Sequence, residues 1–196
     1  VNADTNTITI NGTVKDAESN MVADNTSVTW SIVGTGGSLS IVTDTTISGL
    51  IQTVLTTSHV ADATYYVVGT SGSVSDTTGK ITVIVGVQKH IIISPYGAQS
   101  ITVSGVQAVT ATLYDSWWNS VSGQNMTYSG DNNGTLQTPT TLSGDGNGQV
   151  QRIYTASSTA DLIDTINVTA VGVSSADTLL VYTSAAGAAV KIDILP

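Results

Sequence analysis

Cysteine is absent from the chain. That excludes a disulfide framework and thiolate metal ligands, and leaves stability to packing alone. Phenylalanine is absent too, so three tryptophans and seven tyrosines supply all the large aromatic bulk. Lys and Arg number 5 against 14 Asp and Glu, for a net charge of −9. This balance excludes the basic footprint of a nucleic-acid binder and the polybasic patch of a membrane-surface protein. Charged residues make up 10%, against about 25% in an ordinary soluble domain. No apolar run is long enough to span a bilayer as a helix. No basic-then-apolar leader opens the sequence, so residue 1 reads either as the start of a mature region or as an artificial cut. The apolar i, i+3, i+4, i+7 pattern never persists for three turns, and almost no helix is expected.

What is present is strand chemistry. Ser and Thr count 55 of 196 residues, amid abundant Val and Ile. β-Branched side chains suit a pleated, half-buried surface. The chain also repeats itself. "NGTVKDAESNMV" (11–22) matches "TATLYDSWWNSV" (110–121), and "SVTWS" (27–31) matches "NMTYS" (125–129). "GLIQTVLTT" (49–57) matches "GQVQRIYTA" (148–156), and "HVADATYYVV" (59–68) matches "TADLIDTINV" (159–168) with insertions. Asp76-Thr77 matches Asp177-Thr178, and "VQKHIIISP" (87–95) matches "AAVKIDILP" (188–196). Each unit reads as short alternating strands between turns such as "GTGGS" and "SGDGNG". The expected fold is all-β: two tandem Ig-like β-sandwich domains. The boundaries are 1–86, a sandwich lacking its first strand; 87–186, a second sandwich; and 187–196, a strand left over.

These shared turn and core signals resemble the invasin-type Ig-like repeat of bacterial and archaeal surface proteins. That family carries a D-x-x-G-N-x-V turn, matched at Asp16–Val22 and Asp115–Val121. It carries a later DxNG turn, matched by "DGNG" (145–148) but replaced by "TISG" (46–49) in the first unit. Trp30 takes the place of the buried tryptophan of Ig-like sandwiches, with Tyr128 as its twin. The resemblance implies an extracellular structural role, in a surface layer, an adhesin or a stalk. The favoured role is a subunit of a surface layer or filament assembled head-to-tail, and an adhesin stalk or carbohydrate-binding module of the cell surface is the alternative.

No catalytic constellation accompanies the fold. His59 aligns with Ser158 and His90 with Lys191, so neither histidine recurs. No G-x-S-x-G, P-loop, H-E-x-x-H or C-x-x-C motif occurs. "GDGNG" reads as a hairpin turn, since no helix follows to hold a phosphate. The chain is therefore not expected to be an enzyme, and no cofactor is expected beyond a structural calcium ion. Calcium needs six to eight oxygens. Asp16, Asp115, Asp131, Asp145, Asp161 and Asp164 all lie in Asn- and Gly-rich turn contexts and are the candidate ligands. Ordinary turn chemistry accounts for the same residues. Five N-x-[ST] sequons, at Asn11, Asn25, Asn125, Asn133 and Asn167, are candidate glycan carriers.

Two segments point to self-association. Trp117 and Trp118 sit side by side in the Asp115 turn, where the family has small residues including a glycine. A plug between domains, a subunit contact and a sugar platform all fit. The second is the C-terminal stretch 188–196, which repeats the first strand of the second domain with no further domain in the sequence given. Either the sequence is part of a longer array, or residues 188–196 complete the first domain of a neighbour by strand donation. Ile192 and Ile194 would then enter the acceptor core.

Overall fold

The computed structural model describes residues 1–130, 133–174 and 176–185. Every regular element among them is a β-strand. The chain divides into two compact units, one covering Val1–Val87 and one beginning at Gln88.

In the first unit, β1 (Thr7–Thr13), β3 (Ser38–Leu39) and β5 (Leu50–Thr56) form a sheet in the order β1-β5-β3. The facing sheet holds β4 (Thr43–Thr45), β2 (Ser27–Val33), β6 (Thr64–Ser71) and β7 (Val74–Thr77), in that order. β8 (Ile81–Thr82) pairs with β6 beyond β7. Alternation decides which faces meet. β2 turns Val28 and Trp30 inward and Ser27, Thr29 and Ser31 outward. Leu55 from β5 and Tyr65 and Val67 from β6 close the core. One-sided burial with polar residues outside is the antiparallel sandwich pattern.

The second unit repeats the plan with one more strand. β9 (Gln88–Ser94), β11 (Val106–Asp115), β13 (Thr135–Leu136) and β15 (Gln149–Thr155) form a sheet in the order β13-β15-β11-β9. β10 (Gln99–Thr102), β12 (Asn125–Ser129), β14 (Thr141–Ser143), β16 (Leu162–Ala170) and β17 (Asp177–Ser184) form the other, ordered β10-β17-β16-β12-β14. β10 runs parallel to β17, and the other pairings are antiparallel.

The ladders align the units residue by residue. Gly12 stands opposite Ile51 as Ala111 stands opposite Val150. Trp30 stands opposite Gly69 as Tyr128 stands opposite Val168. Counting along β6 and β16 then makes Tyr65 the equivalent of Asp164. The sequence match of 59–68 with 159–168 is thus one residue out of register there.

The units differ at one edge. β11 lies between β15 and β9, whereas β1 pairs with β5 alone among the described residues. The first unit does have a counterpart of β10, which its sequence did not suggest. Val1–Ala3 runs parallel to the segment 82–84: the Ala3 amide donates to the Ile84 carbonyl at 2.9 Å, and the Ile84 amide to the Val1 carbonyl at 2.8 Å. The strand without a counterpart in the first unit is β9.

Candidate functional site

The open edge of β1 borders a groove of about 660 Å³. Ile10 and Gly12 of β1 form one wall, Val74 and Asp76 of β7 the other, and Val28 and Trp30 lie between them. The second unit lays β9 in the corresponding place. There Ile93 pairs with Ala111 and Ile91 with Leu113, and β9 also packs on β16 and β17 of the facing sheet. Burial records the difference. Ala111 and Leu113 are 0% exposed, while Gly12 and Val14, their equivalents, are only half-buried. Trp30 is buried, yet its indole N–H has no acceptor among the described residues. Tyr128, its twin, receives the Ala111 amide at 2.9 Å and donates to the Val150 carbonyl at 2.6 Å. Burial pushes the Tyr128 phenol up to about 12.

The Asp turns are built alike. Asp115 is buried; its Oδ1 accepts the amides of Trp117 (2.8 Å) and Asn119 (2.9 Å), and its Oδ2 accepts the Asn119 side chain at 2.8 Å. Asp16 does the same with Glu18 and Asn20, and the Asn20 amide and side chain lower its carboxyl pKa, helped by the Glu18 amide. Asp145 accepts the amides of Asn147 and Gln149. In each turn the residue before the closing position has left-handed backbone: Ser19 (φ 69°), Trp118 (φ 65°) and Gly148 (φ 70°). Trp118 therefore occupies the position where the turn favours glycine.

The other candidates fall apart from one another. Asp161 is exposed in its own turn. Asp164 is buried and accepts the amides of Asn133 and Gly134 and the Tyr154 hydroxyl. Burial and the Asp164 carboxylate together raise the Tyr154 phenol well above its ordinary range. Asp131, Ile192 and Ile194 lie outside the described residues. No group of three or more His, Asp or Glu side chains converges among the described residues. Of the sequon asparagines, Asn11, Asn25, Asn125 and Asn133 are exposed. Asn167 is half-buried and accepts the Thr178 hydroxyl at 2.9 Å. Asn11 stands on β1, on the rim of the groove.

Trp117 and Trp118 are 48% and 59% exposed. Trp118 stacks on His90 of β9, with ring centroids 4.8 Å apart and planes 12° from parallel, and tilts against Tyr114 at 5.6 Å. The result is an aromatic ledge on the second unit. Sequence reading singled out the tryptophans but not His90 or Tyr114, because only the pairing of β9 with β11 brings them together.

No protein-family model matches the sequence, and no curated protein matches it. Solved structures do. The Escherichia coli adhesin FdeC matches at 16% identity and TM-score 0.57, over 91% of this chain and 59% of that one. The likeness is one of fold, that of Ig-like β-sandwich domains. Domains 4 and 5 of the S-layer protein SbsC match at 18% identity and TM-score 0.43, over 88% of this chain and 79% of that one. Invasin, a bacterial integrin-binding protein, matches at 17% identity and TM-score 0.42, over 91% of this chain and 36% of that one.

Proposed function

We propose that the chain is an extracellular structural protein, a subunit of a surface layer or filament assembled head-to-tail by donor-strand complementation. The observation that carries this reading is the open β1 edge above an apolar groove, where the twin unit lays β9. The donor is residues 188–196 of a neighbouring copy. Their sequence places Ile192 and Ile194 where β9 has Ile91 and Ile93. Strand addition supplies main-chain hydrogen bonds along the edge, and alternate side chains fill the groove. Burying two isoleucines contributes roughly 3–6 kcal/mol before the cost of association. A head-to-tail contact that does not close on itself propagates as a filament. The fold shared with an adhesin supports a location at the cell surface.

The test is removal of residues 188–196. Polymers visible by electron microscopy should vanish, while circular dichroism shows both sandwiches folded. Polymers that persist would mean another segment or no segment fills the groove, and would overturn donor-strand assembly. The aromatic ledge favours a second reading, a surface module that binds carbohydrate through Trp118, and a glycan array with Trp118→Ser as control distinguishes it.

A further inference from the structure

β9 is held in the second unit by more than its ladder. The Ile93 amide donates to Asp177 Oδ2 at 2.7 Å, and Asp177 belongs to β17 in the facing sheet. Asp177 Oδ1 accepts the Thr178 amide at 2.9 Å. An edge strand has outward amides that need a partner or water. Here a carboxylate supplies the partner and fixes which residue of β9 sits beside it.

The first unit carries the same device with nothing in its grip. Asp76 stands opposite Gly69 as Asp177 stands opposite Val168, and those partners stand opposite Trp30 and Tyr128. Asp76 is therefore the equivalent of Asp177. Its Oδ1 accepts the Thr77 amide at 2.8 Å, as its twin does with Thr178. Its second oxygen accepts nothing among the described residues, and the residue lines the groove.

We infer that Asp76 is the register latch of the groove: its unengaged carboxylate oxygen takes the backbone amide of Ile194 from a second copy. The inference rests on the donor-strand reading above. By the register of β9, Ile194 then stands opposite Gly12 and Ile192 opposite Val14. A slip of one residue turns both isoleucines to solvent and brings Asp193 into the groove beside Asp76. A slip that sets Pro196 at the latch offers no N–H at all. The carboxylate thus selects one frame of the donor.

The acceptor for the test is the full chain carrying Ile192→Asn and Ile194→Asn, which cannot donate its own strand but keeps the groove. The probe is a fluorescent peptide of residues 188–196, read by anisotropy, beside an ester analogue in which oxygen replaces the Ile194 N–H. The ester should bind roughly tenfold more weakly, the loss of one hydrogen bond to a charged group. Asp76→Ala should weaken the amide peptide by a similar factor, after which the ester loses nothing more. Asp76→Asn keeps a neutral acceptor and should restore part of the binding. If the amide peptide binds but the two changes act independently, or neither acts, the latch is wrong and strand donation stands. If the amide peptide fails to bind, strand donation fails and the latch with it. The ester arm needs no change at Asp76, so it holds even if Asp76→Ala folds poorly.

Discussion

Asp115 is buried and accepts the amides of Trp117 and Asn119 and the Asn119 side chain, so removing it leaves those donors unmet. Asp115→Ala is expected to cost about 1–3 kcal/mol, seen as a lower Tm. Local amides already occupy oxygens of Asp16, Asp115 and Asp145, so these turns are expected to stand without a cation. Melting curves in chelator and in millimolar calcium should then coincide, and a clear upward shift with calcium would refute this. Trp118 holds left-handed backbone at a cost of about 1–2 kcal/mol for a residue with a Cβ. Its stacking on His90 returns about 0.5–1.5 kcal/mol. The two nearly cancel, so Trp118→Gly should leave the melting temperature almost unchanged. A loss of assembly or glycan binding in that variant would locate the function of the ring. The tyrosine cores give a pH dependence. The Tyr128 phenol titrates near 12 folded and near 10 unfolded. A raised folded value means the stabilisation is complete below pH 10 and drains as pH climbs toward 12, by up to about 1.4 kcal/mol per unit. Tyr128→Phe should flatten the fall in Tm over that window.

At the scale of the strand, the comparison is between β9 and its open counterpart. Ile93 is buried against Ala111 in the second unit. Ile93→Ala should destabilise that unit by about 2–5 kcal/mol, read from denaturant unfolding. The first unit lacks this contribution while its groove is open, and among the described residues β1 has no strand partner on that edge. It is therefore the less protected unit. Hydrogen exchange along β1 should be faster than along β11, and the peptide of residues 188–196 should slow it. Equal protection in the two strands without peptide would contradict the open edge.

For the whole molecule, charge opposes what the groove favours. Copies bearing −9 each repel one another. The Debye length falls from about 30 Å at 0.01 M salt to about 8 Å at 0.15 M. Polymer yield, followed by light scattering, should therefore rise with salt across that range. Contacts fixed by buried isoleucines and main-chain bonds respond little to further salt, so the yield should then level off. A yield that falls steadily with salt would point to assembly through charge pairs instead.

Much of this architecture follows from local chemistry. Alternation in "SVTWS" and "NMTYS" sets which face of each strand is apolar, because successive side chains point oppositely. Asp followed by Asn four residues on sets the Asp16 and Asp115 turns, because a carboxylate can bind the amides of its own loop. The repeat then announces two sandwiches of the same plan. What sequence could not decide was anything needing two distant strands to meet. The equivalence of Tyr65 and Asp164 came from the ladders, since one inserted residue in a loop leaves no trace in periodicity. His90 joined Trp118 only because β9 pairs with β11. The matched pair Asp76-Thr77 and Asp177-Thr178 was visible as a repeat, but its meaning was not. A carboxylate becomes a latch only when the opposite sheet brings a strand's free amide within hydrogen-bond reach, and that distance belongs to the tertiary structure alone.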